Sequence, residues 1–174
     1  MSSGQTLMAL GAFILLSTLL LNFYSILGNT SDIAASGQDG ILASTLATSY
    51  LEIAQGLAFD EITDTTDAAI GNPNMLTPIN KLGPDSGSEV GIGTFNDFDD
   101  FKGFALEEVA SGTNRRFRTV FDVNYVDPTN INTISNNRTF VKRMDVKTWR
   151  ISPPVNGRVD TLRLTLVMGY FHFD

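Results

Sequence analysis

The most pronounced feature of the hydrophobic pattern is an apolar run at the N-terminal end of the chain. Residues 1–31 carry no charged side chain, and residues 7–27 are almost continuously apolar. A helix of that length, at about 1.5 Å per residue, spans roughly the 30 Å of a bilayer's hydrocarbon core. The run therefore predicts a membrane-spanning helix over residues 5–31. A secretory signal peptide is an alternative, but signal peptides have a basic start and a shorter apolar core.

The helical pattern resumes after a polar interruption at residues 28–32. Apolar residues recur there at helical steps of three and four, which indicates an amphipathic continuation over residues 32–59. Gly37 and Gly40 each weaken a helix by about 1 kcal/mol relative to alanine, so residues 28–40 are where we expect it to bend or melt. The residues of the apolar face are Ile33, Leu42, Leu46, Tyr50, Ile53, Ala54 and Leu57. A separate membrane helix followed by an independent surface helix is the alternative.

The second half of the chain changes from turn-rich to alternating. Residues 60–101 are rich in Asp, Asn, Gly, Pro and Thr, which predicts a long surface loop. Apolar and polar residues then alternate in Phe117–Tyr125, Phe140–Ile151 and Leu162–Tyr170, as in strands with one buried face. The region 102–174 is thus predicted to form a sheet of three or four strands.

The order of these elements indicates the fold class. Asp127–Asn130 and Pro153–Gly157 are turn signals between the strands, and no helical pattern separates one strand from the next. Consecutive strands of this kind form an antiparallel sheet. We therefore predict an α+β fold in which a long helix has a protruding apolar first half and packs on the sheet through its second half.

Charge and composition exclude several classes of function. The net charge is −7, and no Lys or Arg precedes Lys81, so there is no basic patch of the kind that binds nucleic acid. The chain has no cysteine and one histidine, His172. It also lacks the common hydrolase, zinc-protease and phosphate-loop motifs. We therefore predict no catalytic, cofactor-binding or metal-binding residues, and no enzyme activity.

Two groups of carboxylates are candidates for an exception. Asp97, Asp99 and Asp100 are hard oxygen ligands that suit calcium, but the spacing does not complete an EF-hand loop. Solvated turn carboxylates are the preferred interpretation. The pair Glu107 and Glu108 suits a glycosidase, but adjacent residues of a strand point to opposite faces.

Three short motifs carry a resemblance to a known family. Gly4 precedes Gln5 and the apolar run, Phe59-Asp60-Glu61 follows the helix, and an acidic, aromatic and glycine-containing segment, residues 96–104, precedes the strands. Together with the order of anchor, helix, loop and antiparallel sheet, these features resemble the type IV pilin and pseudopilin superfamily over the whole chain. The order of elements is the stronger part of the resemblance.

The resemblance implies processing and assembly. A dedicated peptidase would cut between Gly4 and Gln5, so residues 1–4 would be a short leader and the apolar helix would stay on the mature protein. The family usually has a glutamate at the fifth mature position, where this chain has Ala9, and its leader usually carries Lys or Arg, which this one lacks. Asn22 is then a candidate for a hydrogen bond between helices.

The implied function is that of a structural subunit in an extracellular, adhesive filament. Its partners are copies of itself, the inner membrane before assembly and the pilus assembly machinery, and residues 60–101 form the outer wall. A minor tip subunit of a pilus or secretion system and a membrane-tethered binding module that does not polymerise are the alternatives. The residues implied to form the filament core are Leu7, Leu10, Gly11, Phe13, Ile14, Leu16, Leu19, Leu20, Asn22 and Phe23.

Overall fold

The computed structural model describes most of the chain. It divides into two compact units, residues 1–40 and residues 41–174. The turn signal Pro153–Gly157 and His172 lie outside the described residues, which are 3–66, 68–85, 87–152 and 160–171.

The first unit is helical from its first described residue. Helix α1 (Ser3–Gln55) supplies all of it. Residues 28–40, where we expected a bend or melting, are α-helical. The hydroxyls of Thr6, Thr18 and Thr30 each donate to a backbone carbonyl three or four residues earlier, at 2.9 Å. These polar side chains therefore satisfy their own donors and leave the helix surface apolar.

The second unit combines the end of α1 with an antiparallel sheet. Its strands are β1 (Ala105–Val109), β2 (Arg116–Asp127), β3 (Asn130–Ile134), β4 (Val141–Ser152) and β5 (Thr161–Gly169). The spatial order is β1-β2-β4-β5, and β3 pairs with the end of β2. The predicted α+β class is confirmed.

The end of α1 covers one face of this sheet. Ala47, Tyr50 and Ala54 are buried against Phe121 of β2 and neighbouring sheet residues. The rings of Tyr50 and Phe121 meet edge to face, with centroids 5.6 Å apart. Small residues on the helix let it approach the sheet closely, while the aromatic pair fills the space between them.

The three predicted strands are confirmed, with the predicted faces inward. In β2, Phe117, Thr119, Phe121, Val123 and Tyr125 are all buried. Asp127–Asn130 forms the predicted turn, in which the Thr129 amide donates to the Asp127 carboxylate at 2.8 Å. Among the described residues the sheet has five strands rather than the predicted three or four, the additional ones being β1 and β3. Strand β3 is exposed along its whole length, and β1 directs the charged Glu108 inward, so neither shows an apolar alternation.

The segment predicted as a surface loop also contributes to the core. It contains α2 (Glu61–Thr65) and four 3₁₀ turns, at Pro73–Met75, Ile79–Lys81, Ile92–Thr94 and Asp99–Phe101. Phe95, Phe98 and Phe101 are buried in the main core, and Ile70 and Leu76 are buried in a second cluster with Tyr125. The described residues of this segment therefore contribute aromatic and aliphatic side chains to the core of the second unit.

Candidate functional site

The first candidate site is the surface of α1 in the first unit. Both predicted processing residues, Gly4 and Gln5, are helical and exposed there. So is every residue of the implied filament core; Phe13, for example, is 70 % exposed. These core residues are Leu7, Leu10, Gly11, Phe13, Ile14, Leu16, Leu19, Leu20, Asn22 and Phe23.

These exposed residues do not form a single stripe. At about 100° per residue they are distributed around the whole circumference of the helix. A helix that is apolar all round is normally buried in a protein or in a membrane. By length and composition, α1 is apolar enough to cross a membrane, and none of its most apolar window is buried. This segment therefore fits a membrane by its length and composition.

The second candidate site is a buried lysine in the sheet. Lys142, on β4, has no solvent exposure. Its Nζ donates to the Phe59 carbonyl at 2.7 Å, to Asp60 Oδ2 at 2.8 Å and to Asp99 Oδ1. It also lies 4.7 Å from the centroid of the Phe59 ring and 5.3 Å from that of Tyr125. We call Lys142, Asp60, Asp99, Phe59 and Tyr125 the Lys142 cluster.

Asp60 links the cluster to the loop at Thr77 and to β2. Its carboxylate accepts from the Thr77 amide at 3.0 Å and from the Thr77 hydroxyl at 3.0 Å. The Tyr125 hydroxyl is 3.1 Å from Asp60 Oδ2 and 2.9 Å from the Thr77 carbonyl. Because Asp60 precedes α2 and Tyr125 lies on β2, the carboxylate joins helix, loop and sheet at one point.

The aspartates of residues 97–100 correct an expectation from the sequence. Asp97, Asp99 and Asp100 were expected to be solvated turn carboxylates, but all three are buried. Asp97 Oδ1 accepts from the amides of Asp99 and Asp100, at 2.7 and 3.2 Å. Asp100 Oδ2 accepts from the amides of Asn96 and Asp97, at 2.9 and 3.2 Å. This segment can be buried because its own carboxylates replace water as hydrogen-bond acceptors for the backbone amides.

Burial changes the protonation of these carboxyls. Burial, followed by the negative charge of Asp99, raises the pKa of Asp97 to about 8. Burial also raises the pKa of Asp99 to about 6, although Lys142 acts in the opposite direction. The pKa of Asp100 is raised as well, again mainly by burial. A buried carboxyl without full compensation favours its neutral form.

Two of the motifs that carried the resemblance meet at this site. The Phe98 amide donates to the Ala58 carbonyl at 2.9 Å, and the Ala58 amide donates to the Asn96 carbonyl at 3.2 Å. The Asn96 side chain also donates to Glu61 Oε2 at 2.8 Å. The Phe-Asp-Glu motif and the segment before the strands are thus held side by side, and Lys142 contacts both.

Sequence reasoning missed Lys142 and Tyr125 as members of a site. A signal for Lys142 was present, because it lies two residues before Met144 and therefore on the buried face of β4. A lysine in register with apolar positions is rarely fully buried unless it is paired. Asp60 and Asp99, each part of a motif already noted, were the available acceptors.

Other candidate chemistry is dispersed. Within the described residues, no group of three His, Asp or Glu side chains is arranged to hold a metal ion. Glu107 and Glu108 point to opposite faces of β1, as expected. Glu107 pairs with Arg118 at 3.1 Å, and Glu108 accepts a hydrogen bond from the Tyr50 hydroxyl.

Comparison with known proteins gives no further assignment. No protein-family model, curated protein or solved structure matches this chain.

Proposed function

We propose that this protein is a structural subunit of an extracellular, type IV pilus-like filament, which polymerises through the first part of α1. The single observation that carries this proposal is the exposed helix surface, apolar on every side over residues 7–27. Such a surface suits a bilayer before assembly and a bundle of identical helices afterwards.

When the helix moves from lipid into a filament, close packing contributes more to stability than the hydrophobic effect does. Moving an apolar helix from lipid to a helical bundle changes little net apolar contact with water, so close packing decides the stability of the bundle. The small residues Ala9, Gly11, Ala12 and Ser17 allow close approach between helices. Ala9 stands at the fifth mature position, where the family usually has a glutamate, so the helix core contains no carboxylate. Asn22 is the residue within the apolar run that offers an amide hydrogen bond.

The second unit supplies the outer wall in this proposal. It has its own hydrophobic core between the end of α1 and the sheet, so it does not depend on polymerisation to bury its apolar residues. A head-to-tail contact between identical subunits that does not close into a ring produces a helical filament. The inner membrane and an assembly machine are the partners before that step.

The test is electron microscopy of material sheared from expressing cells, with mass spectrometry of its subunits. We expect filaments made mainly of this chain, with an N-terminal peptide that begins at Gln5. Filaments that contain only traces of the chain would favour a tip subunit. A chain that stays in the membrane fraction, with no filaments, would replace the proposal with a membrane-tethered binding module.

A further inference from the structure

The Lys142 cluster contains the components of an intramolecular cross-link. We propose that Lys142 and Asp99 become joined by an amide bond between Nζ and the side-chain carboxyl carbon, with Asp60 relaying the proton. This modification is independent of whether the chain polymerises.

The reacting groups are already in contact. Lys142 Nζ donates to Asp99 Oδ1, and the side chains are 0 % and 2 % exposed. They come from different elements, β4 and the 3₁₀ turn Asp99–Phe101, so the folded chain holds an amine against a carboxyl that are far apart in sequence. Such positioning can replace a large part of the entropic barrier to a reaction between two groups.

The surroundings of the two reacting groups are buried and partly aromatic. The rings of Phe59 and Tyr125 lie close to the amine, and the site is closed to water. Because both side chains are buried, no solvent separates the nitrogen of Lys142 from the carboxyl group of Asp99. Burial raises the pKa of Asp99 to about 6, which moves its carboxyl in the direction the reaction needs.

Asp60 is placed to move the proton. Its Oδ2 lies 2.8 Å from Lys142 Nζ, and hydrogen bonds from Thr77 and Tyr125 fix the orientation of the carboxylate. Those bonds make Asp60 an acceptor, which suits a general base and not the carboxyl under attack. Asp99 is therefore the electrophile and Asp60 the relay.

The step balances without a co-reactant. The amine lone pair of Lys142 attacks the carboxyl carbon of protonated Asp99, and a carbon–nitrogen bond forms. Asp60 accepts a proton from the nitrogen and returns it to the departing hydroxyl, which leaves as water when its carbon–oxygen bond breaks. Ammonium and carboxylate become amide and water, with no oxidation, and Asp60 ends unchanged.

A more exposed ion pair, between Lys102 after the 3₁₀ turn Asp99–Phe101 and Asp122 on β2, provides the contrast. Lys102 Nζ lies 2.7 Å from Asp122 Oδ1, but these side chains are 29 % and 56 % exposed. Water stabilises the charges of that pair, and among the described residues the Lys102 amine contacts one carboxylate, that of Asp122, and the Asn124 side-chain oxygen at 2.7 Å. Lys102 is thus the matched control for Lys142.

The test is mass spectrometry of the full chain, expressed in cells, solubilised in detergent and denatured. We expect a mass one water below that of residues 1–174, or one water below that of residues 5–174 where the leader has been removed. After trypsin digestion, we expect peptide 139–143 linked to peptide 82–102, because an amide at Lys142 blocks cleavage there. A free 139–142 peptide in the digest would overturn the proposal, even if water had been lost elsewhere, for example at Asp39-Gly40. A link to peptide 1–81 would place the bond on Asp60 and overturn the assignment to Asp99.

Variants separate the roles. Lys142→Arg should restore the sequence mass of the variant, whereas Lys102→Arg should still lose one water. Asp60→Asn should prevent the link or slow it severely; a fully linked Asp60→Asn protein would overturn the relay role. If Lys142→Arg does not fold, the digest of the unchanged protein still decides the question.

Discussion

Ala58 and Asp97 form an isolated parallel β-bridge that joins the end of the α1 segment to the segment before the sheet. Asp60 and Asp99, each two residues after a bridge partner, both reach the buried Nζ of Lys142. A short backbone pairing thus fixes the distance between two carboxylates, and the lysine between them offsets their repulsion. The acidic residues of both motifs serve the interior of the domain.

Removal of the buried lysine should destabilise the second unit strongly. Lys142→Met leaves Asp60 and Asp99 buried together without a cation, which should lower the free energy of unfolding by about 3–5 kcal/mol. Loss of the proposed amide would act in the same direction. Chemical denaturation of the full chain in detergent, followed by the fluorescence of Trp149, measures the change.

The exposed Lys102 tests whether burial is the cause of that loss. Lys102→Met removes a surface ion pair and should cost about 1 kcal/mol or less. Equal losses for the two variants would contradict the special role of the Lys142 cluster.

The free energy of unfolding should fall as the pH rises, because burial raises the pKa of Asp97 from its ordinary value of 3.8 to about 8. Between those values the folded state binds a proton that the unfolded state has released. The contribution of Asp97 is fully present below its unfolded pKa, declines by about 1.4 kcal/mol per pH unit, and is lost once the pH passes the folded value. Thermal unfolding of the full chain in detergent should show a lower Tm at about pH 9 than at about pH 5.

Asp97→Asn is the control for this pH dependence. The asparagine side-chain oxygen can still accept from the amides of Asp99 and Asp100, as Asp97 Oδ1 does at 2.7 and 3.2 Å. The variant cannot titrate, so its Tm should change less between the two pH values. An unchanged slope would show that other groups, such as Asp99 or Asp100, cause the effect.

A larger side chain at Gly11 should reduce filament yield without affecting the subunit. A Cβ added at Gly11 meets nothing within 4 Å in the single chain, and leucine is a better helix former than glycine by roughly 1 kcal/mol. Any loss of filaments in Gly11→Leu therefore reports on packing between copies. Electron microscopy of sheared material, with membrane fractionation of the remaining chain, measures both properties.

Gly37 is the matched control for Gly11. A Cβ at Gly37 also meets nothing within 4 Å, but this residue lies outside the apolar run. Gly37→Leu should therefore retain filaments. If both variants lose them equally, the effect does not locate the interface to residues 7–27.

Asn22→Leu removes the amide side chain that lies within the apolar run, residues 7–27. If its side chain forms a hydrogen bond between copies, the variant should give fewer or less stable filaments, while circular dichroism of the sheet domain stays unchanged. Helix-to-helix hydrogen bonds in an apolar environment contribute about 1–2 kcal/mol or less, so we expect reduced filament yield under heating or detergent rather than complete loss. Unchanged yield and stability would remove Asn22 from the assembly interface.

Much of the fold follows from local pattern. The apolar run, the alternation of β2, β4 and β5 and the turn at Asp127–Asn130 are confirmed because each depends on periodicity and turn chemistry within a few residues. Strand β3 was not predicted because none of its residues is buried. Strand β1 was not predicted because its Glu108 points inward and accepts a hydrogen bond from Tyr50. Where a polar pair replaces an apolar contact, the alternation that marks a strand disappears.

The sequence by itself determined that residues 7–27 form an uncharged apolar run, and a helix that is apolar all round is normally buried in protein or in a membrane. It also determined that the acidic residues cluster at both ends of the loop. Only the tertiary structure decided that Asp97, Asp99 and Asp100 are buried and that Lys142 lies among them. The physical reason is that a carboxylate is stable in water or beside a cation and hydrogen-bond donors, and which of the two it has depends on contacts between residues far apart in the chain.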